Sequence, residues 1–397
     1  MRALQPGRLG SVELSNRIIR AATSESMGGP RGEITPQAVE FYRKLGAGGA
    51  GLIMTGHLFV HPRGRHNAVQ FGIDSDGLID GHARLTEAVH REGGKIFAEL
   101  AHAGSQTAMR GIEPLAPSPV VNPMTGVAAA EMTEADIEDV VEAFGTAAWR
   151  AKTAGYDGIH FAGANGYLFS QFMSPYSNKR DDAWGGDAHR RGRFPMAVIG
   201  RIRAAIGKDF AFTGRLGAAD NVEGGMTLSE GLDRLEAIDI AGELDGIEPA
   251  LNIIHDYEEN IRPYVGVGPR RAAQDWLFHR IFSRGYPEAY FRSLARSVKQ
   301  RVRMPVILMG GIRSTEIMEE ILASGDADFL ALSRPFIREP DIARQIVNGR
   351  RGKVACVSCN ACLMHDGMDP LQCWRTPKWR LAQHFYDVLW RDRARSA

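Results

Sequence analysis

Residues 133–162 read TEADIEDVVEAFGTAAWRAKTAGYDGIHFA, and this stretch decides the fold. It opens with Thr133 and Asp136, which form a capping-box pattern. Apolar residues then recur along one helical face, at Ile137, Val140, Val141, Phe144 and Ala148. Gly155 ends the predicted helix as a C′ residue would, and the short apolar strand Gly158–Ala162 follows it. One helix followed by one buried strand is the repeating unit of an α/β protein.

Seven more predicted strands of the same kind are spaced along the chain, each short and rich in Ile, Val, Leu or Phe. They are Arg17–Thr23, Gly51–Gly56, Lys95–Ala101, Phe210–Leu216, Asp245–Pro249, Val306–Gly310 and Asp328–Ser333. Helical patterns cover 36–47, 78–92, 133–153, 188–206, 228–242, 288–302, 314–324 and 340–348. Eight such units joined by right-handed crossovers predict a (β/α)8 TIM barrel. The rival architecture is an open doubly wound sheet, which is disfavoured because no Gly-x-Gly-x-x-Gly fingerprint follows the first strand.

The barrel is predicted to span residues 1–349, with a hairpin over Leu4–Asn16 that turns near Gly7 or Gly10. Residues 350–397 form a short C-terminal extension that holds the four cysteines of the chain, which are Cys356, Cys359, Cys362 and Cys373. Cysteines used only for packing would be scattered, so this clustering predicts a shared metal site. Four thiolates suit a [4Fe-4S] cluster or a zinc ion, whereas two disulfides fit a cytoplasmic protein poorly.

Bulk composition excludes several classes of partner. The chain has 397 residues, of which 44% are hydrophobic and 24% charged, as is usual for globular proteins. Its formal net charge of +1 gives no electrostatic basis for binding nucleic acid or a membrane surface. No apolar run approaches the ~20 residues of a membrane span, and the N-terminus lacks the apolar core of a signal peptide. We therefore expect a cytoplasmic protein that acts on a small molecule, and the sequence leaves open whether it forms a homo-oligomer.

In a barrel of this kind the functional groups lie at the carboxyl ends of the strands. Gly310 and Gly311 follow the seventh predicted strand, and Ser333 and Arg334 follow the eighth. Barrels commonly bind phosphate at these two strand ends, through backbone N–H groups and a positive charge. The alternative is that the glycines only turn the chain and that Arg334 pairs with Glu339.

Two other strand ends carry reactive or charged side chains. Arg215 closes an apolar strand, where it needs either an electron-rich cofactor edge or an internal ion pair with Glu99. Asn165 and Tyr167 follow the fourth strand, and an amide next to a phenol is able to polarise and protonate a substrate. The alternative is that Tyr167 serves only in packing.

An ordered run of short motifs extends from Leu14 to Phe336. It comprises Leu14–Ile18, Leu100–Gly104, Gly163–Leu168, Gln171–Pro175, Asn178–Asp182, Trp184–Gly186, Met309–Gly311 and Ser333–Phe336. The most specific of these is Gly163–Leu168, which reads GANGYL. This run resembles the old yellow enzyme family of FMN-dependent NAD(P)H:flavin oxidoreductases. The resemblance implies FMN at the C-terminal ends of the strands and NAD(P)H as co-substrate.

The resemblance also implies a role for each matching residue. The predicted cofactor-binding residues are Ala22, Thr23, Ser24, Gly56, Glu99, Arg215, Gly310, Gly311, Ser333 and Arg334. Among them, Ser24 would lie near the N5/O4 edge of the flavin, and Arg215 at N1/O2 would stabilise reduced, anionic flavin. The last four would hold the phosphate. Tyr167 would be the catalytic proton donor, and Asn165 would bind the carbonyl of the substrate.

Three positions depart from the family pattern. Glu99 stands where the family usually has glutamine, and an ionised carboxylate there would repel the negative charge of reduced flavin. Ala162 stands where the family has a second residue that grips the substrate carbonyl, and His160 lies two residues earlier on the same strand face. Ser105 replaces an arginine that usually follows His-Ala-Gly. The second departure weakens the case for ordinary enone reduction.

The cysteine spacing, Cys-x2-Cys-x2-Cys-x10-Cys, is similar to that of one branch of the family. This branch includes 2,4-dienoyl-CoA reductase and trimethylamine dehydrogenase, which carry a [4Fe-4S] cluster just after the barrel. Those relatives continue into FAD and NAD(P) domains, whereas no Gly-x-Gly-x-x-Gly unit follows the cysteines here. Either NAD(P)H reduces FMN directly, or a redox partner protein exchanges electrons through the cluster.

The expected reaction is hydride transfer from NAD(P)H through FMN to the activated C=C of an unsaturated carbonyl compound or a related substrate. In the long loop 250–287, His255, Tyr257 and Tyr264 are candidates to polarise the carbonyl. One alternative is an FMN/iron–sulfur dehydrogenase or demethylase of an amine or alicyclic substrate. A second is an electron-transfer subunit without a substrate of its own. A flavin-free aldolase is disfavoured because no strand ends in a lysine, and Lys95 stands at a strand start.

Overall fold

A computed structural model describes residues 1–123, 126–252, 261–262, 288–377 and 379–390. Its central sheet has eight parallel strands, and the hydrogen-bonded neighbours follow one another in sequence except at the junction of the sixth and seventh strands. The strands are β3 (Ile18–Arg20), β4 (Leu52–Phe59), β5 (Ile96–Ala101), β8 (Gly158–Gly163), β9 (Ala211–Asp220), β10 (Gly246–Asn252), β11 (Ile307–Met309) and β12 (Phe329–Leu332). Two short strands, β6 (Leu115–Ala116) and β7 (Ala130–Glu131), pair with each other in a separate sheet. Strand β12 pairs with β3, and a bridge from Ile247 to Val306 closes the ring. The predicted (β/α)8 barrel and its eight strands are confirmed.

Each predicted helical segment contains at least one helix, whereas the helices at Leu168–Met173, Arg334–Arg338 and Trp379–Trp390 were not predicted. The helices are α1 (Pro36–Ala47), α2 (Ile79–Arg91), α3 (Glu134–Thr153), α4 (Leu168–Met173), α5 (Ala188–Arg191), α6 (Arg193–Ile206), α7 (Leu228–Ala241), α8 (Arg292–Lys299), α9 (Thr315–Ser324), α10 (Arg334–Arg338), α11 (Ile342–Val347) and α12 (Trp379–Trp390). The prediction of a single helix over 188–206 is wrong, because two helices, α5 and α6, are separated at Gly192. Pro195 has no N–H to donate to the carbonyl of Arg191, so the hydrogen-bond pattern of α5 cannot continue and α6 begins at Arg193. Among the described helices, none is both long and apolar enough to cross a membrane.

A hairpin of β1 (Gly7–Leu9) and β2 (Val12–Leu14) precedes the barrel and turns at Gly10, as predicted. Leu9 and Leu14 are buried and pack among side chains from the barrel strands, including Phe97, Ala211 and Phe329. These contacts fill the N-terminal end of the barrel with hydrocarbon. The groups able to do chemistry are therefore left at the opposite end, where the strands finish.

Helix α3 has the cap and the buried face that its sequence predicts. The Thr133 hydroxyl accepts from the Asp136 N–H at 3.2 Å, and the Asp136 carboxylate accepts from the Thr133 N–H at 2.9 Å. Ile137, Val140 and Phe144 are fully buried against the sheet and neighbouring helices. Packing and capping therefore fix the start of the helix that leads into β8.

Replacing Thr133 by alanine should lower the free energy of unfolding by about 1 kcal/mol, because the first turn of α3 loses its cap. The matched control is Thr146→Ala in the same helix. The Thr146 hydroxyl only bonds back to the Glu142 carbonyl, so that variant should be unchanged or slightly more stable. Equilibrium urea unfolding of both variants measures the difference, and equal losses would contradict the capping role.

Candidate active site

The mouth of the barrel holds a buried cluster of opposite charges. Arg215 on β9 donates from Nε to Glu248 Oε1 on β10 at 2.6 Å, and its Nη1 lies 3.9 Å from Glu99 Oε1 on β5. An internal ion pair of Arg215 thus exists, but the closer partner is Glu248 rather than Glu99. Within the described chain, three buried atoms of this cluster have no hydrogen-bond partner: Arg215 Nη2, Glu99 Oε1 and Glu248 Oε2.

A second buried ionic group supports the strand end that carries Gly56. The Glu25 carboxylate accepts hydrogen bonds from the Tyr42 hydroxyl and, at 2.6 Å, from the Gly56 N–H. Arg20 Nη2 lies 3.7 Å from Glu25 Oε1. Burial raises the pKa of Glu25 despite the neighbouring Arg20 charge. A side chain at position 56 would meet this group, because an added Cβ would lie 2.3 Å from Glu25 Oε2 and 2.6 Å from the Thr23 carbonyl oxygen.

The ends of β3 and β12 lie side by side, as the predicted cofactor set requires. The Thr23 and Ser333 hydroxyls are hydrogen-bonded at 2.8 Å, although 310 positions separate them in the sequence. Ala22 is buried among the barrel residues, and Ser24 is half-buried in the following segment. The structure therefore brings together both strand ends at which FMN was predicted to bind.

Gly310 and Gly311 follow β11 with φ of 112° and 75°, a region in which L side chains are strained. An added Cβ on either residue would also lie 2.8 Å from the Tyr290 ring. Only glycine fits this turn, and the turn leaves backbone amide groups without an intervening side chain. That arrangement suits phosphate, as predicted, although a tight turn alone also accounts for the glycines.

Tyr167 lies at the same end of the barrel and is flanked by two histidines. The centroid of its ring is 5.7 Å from that of His57 and 5.8 Å from that of His66. His66 Nδ1 bonds to the Gln106 carbonyl oxygen at 2.9 Å. A carbonyl can only accept, so Nδ1 carries the proton and Nε2 of neutral His66 is an acceptor. Burial, reinforced by His66, lowers the pKa of His57 to about 4, which keeps that ring neutral near pH 7.

Asn165 is held two residues before Tyr167 in a left-handed turn, with φ of 62°. Asparagine tolerates this conformation better than most residues. The Asn165 carbonyl accepts from Gln106 Nε2 at 3.0 Å, so Gln106 links the backbone of Asn165 to the ring of His66. These bonds fix the turn that presents Asn165 and Tyr167.

The three departures noted in the sequence have clear positions. Ala162 is buried on β8 in register with Arg215. His160 is fully buried deeper in the barrel, where Nδ1 bonds to the Thr213 hydroxyl at 2.9 Å, and it does not replace the missing partner of Asn165. Ser105 is buried and accepts from Asn122 Nδ2 at 2.9 Å. The loop candidates His255, Tyr257 and Tyr264 lie outside the described residues.

The C-terminal extension packs against the strand end that bears the predicted flavin segment. The Leu371 N–H donates to the Glu25 carbonyl at 2.8 Å, and the Ser26 hydroxyl donates to Asp366 at 3.1 Å. Arg334, predicted to bind phosphate, donates to the side chain of Asn360 between two of the cysteines and to the Arg262 carbonyl. The alternative pairing of Arg334 with Glu339 is wrong, because Glu339 pairs with Arg350 instead.

All four cysteines line one pocket, and none forms a disulfide. Ser358 and Asn360, with φ of 55° and 57°, turn the chain between the first three cysteines. Arg338 Nη1 lies 3.4 Å from Cys373 Sγ and provides a positive charge for a thiolate. Within the described chain, no group of three or more His, Cys, Asp or Glu is arranged around the position of a single metal ion.

Four site residues were missed in the sequence, which are Glu25, His57, His66 and Glu248. Glu248 had a readable signal, because a carboxylate inside a predicted buried strand needs a partner. Glu25 also follows directly after the predicted flavin segment. The two histidines gave no local signal, because Gln70 joins their backbones through bonds that no spacing rule describes.

Comparison with known proteins accounts for this arrangement. Residues 4–353 match the model of the NADH:flavin oxidoreductase / NADH oxidase family. The chain belongs to this family. The match covers the barrel and the start of the extension, so the resemblance predicted from the GANGYL motif is confirmed.

Members of the NADH:flavin oxidoreductase / NADH oxidase family differ in length and in named activity. The chain is 36% identical over 359 residues to NADH oxidase of Thermoanaerobacter brockii, which covers 89% of this chain and 52% of that protein. It is 32% identical over 372 residues to 4,4'-dithiodibutanoate disulfide reductase of Rhodococcus erythropolis, with 90% and 91% covered. Histamine dehydrogenase from Rhizobium sp. 4-9 superposes with a TM-score of 0.80 at 25% identity, over 96% of this chain and 53% of that one. The chain thus spans about half the length of the NADH oxidase.

Gly56→Ala should lower the free energy of unfolding by about 1–3 kcal/mol, because the new Cβ has no room beside Glu25 and Thr23. The matched control is Gly200→Ala in α6, where an added Cβ meets nothing within 4 Å. That helical site should gain about 0.5–1 kcal/mol. Urea unfolding distinguishes the two, and a shift of the same sign in both variants would contradict the packing argument.

Proposed function

We propose that this chain is an FMN-dependent NAD(P)H oxidoreductase that reduces the activated C=C of an unsaturated carbonyl compound or a related substrate. When bound, FMN supplies the hydride chemistry, while the protein supplies position and electrostatics. The observation that carries the proposal is the convergence of Arg215, Gly310 and Gly311, Thr23 with Ser333, and Tyr167 at one mouth of the barrel.

The residues at this mouth fit FMN on two counts. Arg215 Nη2 is a buried donor and Glu99 Oε1 is a buried carboxyl oxygen, and neither has a partner among the described residues. The polar edge of a flavin pyrimidine offers both acceptors and an N–H. At the other side, the Gly310–Gly311 turn has backbone N–H groups and no side chains of its own, which suits a phosphate. Ser333 and Arg334 would complete the phosphate site.

The proposed catalytic residues act on a proton and a carbonyl. Tyr167 would hold a proton at its phenolic oxygen and give it to the substrate carbon, and the Asn165 amide would donate to the carbonyl oxygen. Ala162 provides no second donor. Of the two histidines beside Tyr167, His66 already donates its Nδ1–H to the Gln106 carbonyl, so His57 is the ring proposed for that role. The neutral ring of His57 is able to donate one hydrogen bond without adding charge.

At the cysteines we favour a [4Fe-4S] cluster over zinc. A tetrahedral zinc ion lies ~2.3 Å from each sulfur and would draw the four sulfurs to within about 3.8 Å of each other. A cluster instead takes one thiolate at each of four corners, so the sulfurs stand further apart around a volume. The four cysteines line one pocket, as either arrangement requires, and their Cys-x2-Cys-x2-Cys-x10-Cys spacing, which is similar to that of the branch with a [4Fe-4S] cluster, favours the cluster. The cluster would connect the flavin to a redox partner protein.

Two other substrate classes follow from the relatives. The likeness to histamine dehydrogenase supports the alternative of an amine dehydrogenase that passes electrons through the cluster. The disulfide reductase of similar length supports reduction of a disulfide. Anaerobic bleaching of the flavin by amines without NAD(P)H would favour the first. Reoxidation of NAD(P)H-reduced protein by 4,4'-dithiodibutanoate, faster than by 2-cyclohexenone, would favour the second.

Anaerobic purification should yield a protein with flavin bands near ~450 nm and about four iron atoms per chain. Cys362→Ser should lose the iron and its broad ~400 nm absorbance while keeping the flavin, because the barrel mouth is built from other residues. One zinc per chain would instead indicate a structural metal and direct use of NAD(P)H. Absence of flavin after reconstitution with FMN would refute the central proposal.

Tyr167→Phe should slow the oxidative half-reaction by about 10²–10⁴-fold, because the substrate carbon loses its proton donor. Reduction of the flavin by NAD(P)H should be unchanged, since that step needs no proton from Tyr167. Stopped-flow absorbance measures the two half-reactions separately. Tyr386→Phe, on the exposed face of α12, is the control, and equal slowing of both half-reactions in the Tyr167 variant would count against its role.

A further inference from the structure

Two carboxylates and one guanidinium are buried together at the barrel mouth, and their charges do not balance. Glu99, Arg215 and Glu248 are at most 7% exposed in their side chains. With all three ionised, the group has one net negative charge and little access to water. Burial of an uncompensated charge is strongly unfavourable, so a proton on one carboxyl stabilises the group.

Glu99 is the carboxyl that is suited to hold this proton. Glu248 has the short contact with Arg215, at 2.6 Å, so the guanidinium group is already paired with that carboxylate. Glu99 has only the longer one, at 3.9 Å, and its Oε1 has no hydrogen-bond partner in the described chain. Burial, opposed by Arg215 and reinforced by Glu248, raises the pKa of Glu99 to about 7.

The other groups around Glu99 do not supply the missing positive charge. Glu25, in the segment after β3, raises the pKa of Glu99 further, and Arg20 on β3 lowers it. His57 on β4 and His160 on β8 are the register neighbours of Glu99 on the flanking strands. Burial lowers the pKa of His57 to about 4 and that of His160 well below its ordinary value, so both rings are neutral near pH 7.

We propose that Glu99 takes up a proton from solvent when the cofactor in the barrel mouth is reduced, and releases it on reoxidation. The inference rests on the proposed function only in that FMN occupies the mouth. Reduction by NAD(P)H delivers a hydride, which is two electrons and one proton. The second proton joins the Glu99 carboxylate and forms its O–H bond, so that the mouth gains no net charge. Glutamine in the same place could not accept that proton.

The pH dependence has a definite sign. Below about pH 7 Glu99 is already protonated, and reduction brings no additional proton to it. Above about pH 7 Glu99 is ionised in the oxidised protein, and added negative charge nearby raises its pKa. Reduction then takes up one extra proton until the pH exceeds that raised pKa. Over this window the midpoint potential should fall with pH twice as steeply, because two protons instead of one accompany two electrons.

The test is an anaerobic redox titration of the FMN-loaded protein at the flavin absorbance, from pH 6 to pH 9. The unaltered protein should show the doubled slope above about pH 7. Glu99→Gln should show the single slope throughout and a more positive potential at pH 8, because a negative charge is removed. Glu248→Gln should keep the doubled slope but begin it at lower pH, because a charge that raises the pKa of Glu99 is gone.

Proton uptake is counted independently with an indicator dye during photoreduction in weak buffer. At pH 8 the unaltered protein should take up about one more proton per flavin than Glu99→Gln. A one-proton slope in the unaltered protein, or a doubled slope that persists in Glu99→Gln, overturns the proposal. If Glu99→Gln does not retain FMN, the onset in Glu248→Gln decides, and an unshifted onset is contrary to the proposal. Failure of the unaltered protein to bind FMN would instead refute the proposed function.

Discussion

The closed ring of parallel strands is the constraint on which every other feature of this protein depends. Because β12 pairs with β3 and β10 is bridged to Val306, all eight strands finish at one end of one barrel. Closure is what places the Thr23 and Ser333 hydroxyls 2.8 Å apart. The hairpin that fills the other end adds the second half of the constraint, since it leaves a single polar mouth.

That mouth holds more buried charged side chains than packing alone would favour. Arg20, Glu25, Glu99, Arg215 and Glu248 are all buried there, two cations against three carboxylates. Each side chain could be replaced by hydrocarbon with less desolvation, so their presence is best explained by what the mouth binds. The same layer also holds the backbone: Glu25 fixes Gly56 and is bonded through its carbonyl to the cysteine-bearing extension. The charged residue Glu25 therefore also holds the backbone of this site in place.

Much of this architecture could be predicted from the sequence, because it rests on local rules. Buried parallel strands have continuous apolar runs, and Thr133 and Asp136 form the capping box that begins α3. The separation of α5 from α6 had a local signal that the prediction did not use, because Pro195 lies inside the predicted segment 188–206, where a proline interrupts a helix. The closer partner of Arg215 could not be predicted for a different reason. The sequence analysis names Glu99 as its partner, but the choice between Glu99 and Glu248 depends on the register of the strands.

The remaining site residues could not be found by any local rule. His57 and His66 come beside Tyr167 only because the segment between them folds back and is fixed through Gln70. The roles given to the cofactor-binding residues, and the division of the chain at residue 349, stay predictions. The loop 250–287 contributes three candidates by sequence, and these too stay predictions.

The pairing of β3 with β12 also has a consequence for how the protein is made. One hydrogen-bonding edge of strand β3 stays unpaired until β12, which begins at Phe329, has been synthesised. At a ribosomal rate of ~5–20 residues per second, that edge stays open for about 15–60 s after it emerges. The hydrogen bonds from Ser26 to Asp366 and from Leu371 to Glu25 are formed later still. The nascent chain is exposed to edge-to-edge aggregation while the residues between β3 and β12 are made, so we expect chaperone binding during synthesis to raise the yield of folded protein.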